Sequence, residues 1–491
     1  MARTVERRGR LDVACVLIPT VLGAVVLSFR MNVPLLWLDE GASWREVGRS
    51  WSGLFDFLAH RDAGIGLFYV VMKLLPGWAA DEATMRLPAL LCMVAAVAVG
   101  TDLARRWFGP RVALAAGLAL LVMPWTSQYA QEARAYAGSV LLATLALWLL
   151  QRIVERAGAG WPLWLAYGGC LVALGYWQMM GLLTVSAHLF LVWGRPRAVV
   201  RRWLVVVIGA GVVVAPLVLL MLTQPNGVVW TRAPAVKELY GTPRQIVGGQ
   251  RLALLDLAVL AAGLAVVWWR ASRVRQPTKL PGQPTAAESA AEHRTRHIGR
   301  WRSALSPSRP ALVVLAWFFL PLWELWIVGH FGSVFVPRYL LTGMVPAAMA
   351  LGWAITRWRA PIALAVLAVA VVAVWPQQVQ MRTRLAKGPD YAGAAAVIAA
   401  DCRPGDAVFA DARSDVVLPF YLRAHGCRLP VSGQHAGSTA TRLWFVRPAR
   451  LAGDPYDDGT AWRLIRSVDV AGGTSTEQPA LRVSVSKRLA R

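Results

Sequence analysis

Run after run of mostly apolar residues recurs along this chain, beginning with VACVLIPTVLGAVVLSF at residues 13–29. A helix needs about 20 such residues to cross the hydrocarbon of a bilayer. The runs are continuous rather than alternating, so they cannot be the one-sided faces of water-soluble helices or strands. Candidates lie near 13–29, 86–101, 112–124, 136–151, 162–177, 180–193, 203–222, 251–269, 311–329, 338–356 and 360–376, about eleven spans by the hydropathy criterion. A hydrophobic content of 56% agrees. The fold class expected is an α-helical polytopic membrane protein.

The net charge of +25 does not point to nucleic acid, because the basic residues sit in short loops between spans and not on one folded face. They fit orientation better. With MARTVERRGR in the cytoplasm, the inner loops hold ARRWFGPR, GRPRAVVRRW and the stretch 270–309. These inner segments carry about 24 Lys/Arg in about 83 residues, against about 12 in about 109 on the other side. An odd number of spans then puts the C-terminal tail outside the cytoplasm. The first run is followed by Trp, Asp and Glu instead of a small-residue cleavage site, so it reads as a retained span of a multi-pass plasma-membrane protein.

Two regions are expected, 1–376 as the membrane domain and 377–491 as an extracytoplasmic α/β domain. The outside loop 30–85 contains SWSGLFDFLAH, with Ser residues that can cap a helix, and GIGLFYVVMKLLPGW, too short and too punctuated to span. Both read as helices lying at the interface. Another outside loop, 223–250, holds TQPNGVVWTRAP, while the inner stretch 270–309 is Pro-, Ala- and charge-rich without periodicity and reads as a linker. Beyond Trp375, helix-like DYAGAAAVIAADC and SDVVLPFYLRAHGC alternate with strand-like DAVFAD and RLWFV, the pattern of a small α/β domain. If this tail lies in an oxidising compartment, Cys402 and Cys427 can pair there.

The first acidic pair, Asp39 and Glu40, stands in PLLWLDEGASWREV just beyond the first span. Its Trp and Leu neighbours desolvate a carboxylate, one way of holding a base ready. The plain alternative is that the pair merely ends a helix in water. PWTSQYAQEARAYAG opens another span on the same side. Gln128, Gln131 and Arg134, and Tyr129 with Tyr136, follow helical spacing and predict one polar face. Arg134, Arg338 in VFVPRYLL and Arg86 in TMRLPAL are three cations on that side, suited either to lipid headgroups or to a substrate phosphate. No His, Cys and carboxylate spacing argues for zinc; a divalent ion is compatible with the carboxylates but not required.

LWLDE after the first span, RLPAL, SQYAQEARAYA, APLVLL, PRYLL and DYAGAAAVIAADCRPGDAVF occur in an order and on topological sides that resemble the GT-C superfamily of membrane glycosyltransferases. The resemblance covers residues 12 to about 411 and is nearest to glycosyltransferase family 39 and bacterial mannosyltransferase-like proteins; protein O-mannosyltransferases and lipid A aminoarabinose transferases are better-known relatives. One departure is Ile65, where relatives commonly carry His or Pro before a Gly/Pro-Leu-Tyr segment. The resemblance implies inverting transfer of a sugar, with mannose as the family-level expectation, from a polyprenyl-phosphate donor. The acceptor would be a hydroxyl of a glycan, lipid or protein outside the cytoplasm, and no cofactor is expected. It also implies Asp39 as general base, with Glu40 orienting the acceptor or raising the base's pKa, or the same two roles exchanged. Arg134 and Arg338 would be phosphate ligands with Arg86 a further candidate, Tyr129, Gln131 and Tyr136 would contact sugar or phosphate, and Asp62 the acceptor.

A transporter or flippase for lipid-linked sugar is the competing class. Charges at one interface rather than at mid-span speak against it.

Overall fold

The computed structural model describes residues 2–156, 159–224, 233–273, 309–411, 414–432, 440–449, 462–470, 472 and 480–488. Along the first half of the chain the helices are α1 (Ala2–Ser28), α2 (Leu38–Val47), α3 (Trp51–His60), α4 (Gly66–Leu74), α5 (Glu82–Phe108), α6 (Pro110–Val122), α7 (Pro124–Ala130), α8 (Tyr136–Glu155), α9 (Trp161–Trp177), α10 (Val185–Val192), α11 (Arg197–Thr223), α12 (Glu238–Val247) and α13 (Gln250–Arg273). The second half adds α14 (Arg309–Val328), α15 (Met344–Ile355), α16 (Ala360–Gln380), α17 (Tyr391–Ala399) and α18 (Ser414–Ala424). The strands are β1 (Asp406–Ala410), β2 (Val431–Ser432), β3 (Arg442–Pro448), β4 (Trp462–Val470) and β5 (Leu481–Arg488).

Among the described residues seven helices are long and apolar enough to cross a membrane, and α6 with α7, bent by 67°, makes an eighth if counted as one span. Three further runs that hydropathy marks as spans are shorter or broken. The run 162–177 is the 17-residue α9. The run 180–193 is a 3₁₀ stretch, Met179–Thr184, followed by the eight residues of α10. The run 338–356 is a 3₁₀ stretch, Pro337–Gly343, followed by the twelve residues of α15. A 3₁₀ turn rises about 2.0 Å per residue and an α-helix about 1.5 Å, so such a composite still extends far, but hydropathy registers its apolar length and not the change in hydrogen bonding. The linker within 270–309 and the TQPNGVVWTRAP segment lie largely outside the described residues.

The chain divides into two compact units, one made of 1–24, 92–126 and 138–374, the other of 25–91, 127–137 and 375–491. The first is a helix bundle whose close approaches depend on small residues, as is usual where helices pack in lipid. A Cβ on Gly352 would lie 2.5 Å from the Ala116 backbone nitrogen, so only glycine lets α15 pack this tightly on α6. A buried polar link also joins three helices of this unit. Tyr167 on α9 shares a 2.8 Å hydrogen bond with His188 Nδ1 on α10 and accepts at 3.1 Å from the Trp203 indole on α11.

The second unit combines α2–α4 with an α/β fold built as the alternation of its sequence predicts. Its five-stranded sheet has the order β2-β1-β3-β5-β4. β1 runs parallel to β2 and β3, whereas β5 runs antiparallel to β3 and β4. Ala407, Leu443 and Phe445 form a buried cluster on the sheet. Asp390 caps α17 by accepting from the Gly393 N–H at 2.8 Å, and Ser50 caps α3 by accepting from Gly53 N–H at 3.0 Å. Cys402 and Cys427 form a disulfide with their Cα atoms 6.4 Å apart. It ties the chain after α17 to the chain after α18.

Candidate active site

α2 begins at Leu38, with Asp39 and Glu40 in its first turn, where the exposed N–H groups of a helix favour negative charge. The two carboxylates lead different lives. Glu40 is fully buried. Its Oε1 accepts from Arg86 Nε at 2.8 Å, from the Ala133 N–H at 3.1 Å and from Lys387 Nζ at 3.1 Å, while Oε2 accepts from Arg86 Nη2 at 2.8 Å. Burial alone would raise its pKa, but Arg86 and then Lys387 outweigh burial and hold the carboxyl down at about 2. Asp39, the preceding residue, is half-buried.

Arg86, near the start of α5, is fully buried as well. A guanidinium has five N–H donors, and here Nε and Nη2 meet Glu40, Nη1 meets the Met31 and Pro34 carbonyls at 2.8 and 2.7 Å, and Nη2 also meets the Leu35 carbonyl at 3.3 Å. With its donors taken up in this way, Arg86 has none to offer a substrate phosphate, contrary to the sequence expectation. It pins the loop that delivers α2. Gln131 is likewise structural: its amide nitrogen donates to the Leu27 and Phe29 carbonyls at 2.7 and 3.0 Å, tying it to the end of α1.

The helix expected through PWTSQYAQEARAYAG is broken. α7 ends at Ala130, residues 131–135 form a turn and α8 starts at Tyr136. Gln128, Gln131 and Arg134 therefore do not share one helical face, because the chain turns where Ala133 gives its N–H to Glu40 instead of to a helix carbonyl. Tyr129 and Tyr136 still meet, edge to face with ring centroids 5.2 Å apart.

That turn aims Arg134 toward α2 and α4. Its Nη1 donates to Ser43 Oγ at 3.4 Å and to the Tyr69 hydroxyl at 3.3 Å. Burial disfavours its charge, yet the Tyr69 oxygen, Asp39, Tyr136 and Asp62 more than offset this and hold it firmly cationic. Tyr69 in turn donates to Asp62 Oδ2 at 3.2 Å. Burial pushes its phenol above the ordinary range. Asp62 sits at φ 56° in the left-handed region, which Asp tolerates better than most residues, and so turns the chain from α3 into α4. Arg338 belongs to the other compact unit, as the second residue of its 3₁₀ stretch.

Sequence reasoning missed Tyr69, Ser43 and Lys387. Ser43 and Tyr69 had a signal, since Ser43 lies one helical turn after Asp39 and Tyr69 follows the Gly-Leu-Phe segment already singled out. Lys387 is one of five lysines among 52 basic residues, which is a signal of rarity only. The site is also wedged by α18. The Tyr421 hydroxyl accepts from Leu36 N–H at 2.8 Å and donates to Glu82 at 3.0 Å, and Trp44 meets Phe420 edge to face at 5.7 Å. Among the described residues no group of three His, Cys, Asp or Glu side chains is placed to hold a metal ion.

The profile of the family described as dolichyl-phosphate-mannose-protein mannosyltransferase matches residues 69–221. That stretch begins at Tyr69 and contains Arg86 and Arg134. Among solved structures, ArnT from Cupriavidus metallidurans in the apo state aligns over 96% of this chain and 98% of its own, at a TM-score of 0.57 and 16% identity. The same protein bound to undecaprenyl phosphate aligns over 96% and 97%, at a TM-score of 0.54 and 16% identity. No curated protein matches by sequence. The chain is thus a multi-pass membrane protein of the GT-C fold, whose residues 69–221 carry the sequence pattern of that mannosyltransferase family.

Proposed function

We propose that the protein is a glycosyltransferase that moves a sugar from a polyprenyl-phosphate carrier to an acceptor hydroxyl, with inversion at the anomeric carbon. One observation carries the reading: Asp39 and Arg134 feel each other's charge within one compact unit, while the neighbouring acid and cation, Glu40 and Arg86, are committed to each other. The Asp39 carboxylate and the Arg134 guanidinium thus lie outside the buried Glu40–Arg86 pair. The family description of residues 69–221 and the fold shared with a protein solved with undecaprenyl phosphate support the same choice of donor.

In this scheme Asp39 accepts the proton of the acceptor hydroxyl as its oxygen bonds to the anomeric carbon. The bond from that carbon to the phosphate oxygen breaks through an oxocarbenium-like transition state. Its electron pair leaves with polyprenyl phosphate, whose growing charge Arg134 meets; a phosphate needs a cation more than a proton donor. The proton on Asp39 then passes to solvent. Tyr129 and Tyr136 contact sugar or carrier, and Asp62 orients the acceptor through Tyr69. The scheme balances without a metal or cofactor. The N-terminus lies in the cytoplasm and 377–491 outside it, with chemistry at the outer leaflet of the plasma membrane.

Mannose is the sugar that the family description favours, and the acceptor belongs to a glycan, a lipid or a protein. Purified protein incubated with a panel of polyprenyl-phosphate sugars should release polyprenyl phosphate from one of them. Release from none, with wild-type protein shown to be folded, overturns the reading.

A further inference from the structure

Lys387 is not part of any motif that suggested the site, yet its ammonium lies inside it. It follows α16, in the connection to the sheet-bearing part of the second unit, and its side chain is 13% exposed. Nζ donates to Glu40 Oε1 at 3.1 Å and to the Gln131 carbonyl at 2.5 Å. Two bonds thereby join three stretches of chain far apart in sequence: the first turn of α2, the turn between α7 and α8, and the entry to the α/β region. We propose that Lys387 is a positioning residue for the transfer reaction, fixing Asp39 through Glu40 and fixing Arg134 through the backbone of the turn that carries it.

Glu40 and Gln131 lie close in sequence to the groups that act: Asp39 precedes Glu40, and Arg134 stands three residues after Gln131. A shift of Lys387 therefore moves base and cation together. Charge also holds it there. Arg86 and Glu40 are paired with each other, and the ammonium of Lys387 faces buried Glu132 as well as Glu40, so its positive charge is drawn to both carboxyl groups. Burial, and then Arg86, lower its pKa to about 8 against the pull of Glu40 and Glu132. Rising pH consequently neutralises Lys387 before any ordinary lysine, and the pull of its charge on Glu40 is lost.

The inference rests on the proposed transfer reaction, and two readouts on the full-length protein in detergent separate their failures. Hydrogen exchange reads position directly. In Lys387→Met the amide of Ala133 and those of the first turn of α2 should lose protection while α11 and α14 keep theirs. Unchanged protection overturns the proposal whatever the activity. Steady-state kinetics read consequence. Lys387→Met should lower kcat by roughly 10- to 100-fold, the worth of a hydrogen bond to a charged group, with KM for the polyprenyl-phosphate sugar changed far less. Lys387→Arg should restore most of kcat and remove the loss of activity that wild type shows as pH rises through about 8. An alkaline limb that is the same in Lys387→Arg and wild type, or absent in wild type, overturns the proposal. Changed exchange in a protein that transfers no sugar overturns the reading of the reaction and leaves the placing of Glu40 by Lys387 supported.

Discussion

Arg86 and Glu40 form a two-pronged ion pair, both bonds 2.8 Å long and both side chains without solvent exposure, across 46 residues of sequence. Removing one partner leaves an uncompensated buried charge, which costs about 3–5 kcal/mol. Arg86→Met should therefore lower the thermal stability of the solubilised protein sharply, and the three loop carbonyls that lose their donor add to the effect. The pair is also robust to acid. Its carboxyl is held at about 2, below the ordinary value of about 4.3, so its contribution is present above the ordinary value and is lost only as pH falls through the folded one. The stability difference between wild type and Glu40→Gln should be the same at neutral pH and at mildly acidic pH, and shrink only below about pH 4. A difference that already closes in mild acid would show that Arg86 does not hold Glu40 ionised.

Asp39→Asn removes a proton acceptor but is nearly isosteric. The Ser43 hydroxyl bonds the Asp39 carbonyl at 3.1 Å, a bond that the substitution keeps. The variant should still melt as a cooperatively folded protein while transfer falls roughly 10²- to 10⁴-fold, the usual worth of a general base. Wild-type turnover in Asp39→Asn would remove it from the mechanism.

Tyr69→Phe tests the link between Arg134 and Asp62. The phenol oxygen accepts from Arg134 and its proton goes to Asp62, so the ring alone keeps the packing and loses the bridge. Hydrogen bonds to charged groups are worth about 1.5–3 kcal/mol each, and Arg134 freed from Tyr69 should bind the donor phosphate less well. KM for the polyprenyl-phosphate sugar should rise at least tenfold; a KM within twofold of wild type would take Tyr69 out of phosphate binding.

How much of this could be read from the sequence follows from what carries the information. Apolar runs report length, and the alternation after Trp375 reports strands and helices, so both the bundle and the α/β region were legible. The 3₁₀ stretches before α10 and α15 were not, because hydropathy is blind to the hydrogen-bond pattern. Asp39 and Glu40 stood out as an acidic pair among aromatics, but their division of labour did not. It depends on Arg86, whose remaining partners are the backbone carbonyls of Met31, Pro34 and Leu35, and a backbone carbonyl leaves no mark in residue type. Arg86 and Arg134 look alike as arginines entering spans; only the partners of their donors separate them. Lys387 lies 347 residues from Glu40, and no local pattern joins such a pair.

The placement of α2 by α18 yields a last test. A Cβ on Gly41 would lie 2.9 Å from Val417 Cγ2 and 3.1 Å from the Val416 carbonyl oxygen. The side-chain methyl can yield, but the carbonyl belongs to α18 and moves only with the helix. Gly41→Ala should therefore push α18 and α2 apart, at a cost of about 1–3 kcal/mol for overpacking, although alanine is the better helix former by about 1 kcal/mol. Gly169 in α9 is the matched control, since a Cβ there meets nothing within 4 Å; Gly169→Ala should leave stability unchanged or raise it slightly. Because the displaced turn contains both Asp39 and Glu40, Gly41→Ala should lose activity at temperatures well below its own unfolding, and Gly169→Ala should not. Equal behaviour of the two variants in thermal melts and turnover would mean that α18 does not set the position of the acidic pair.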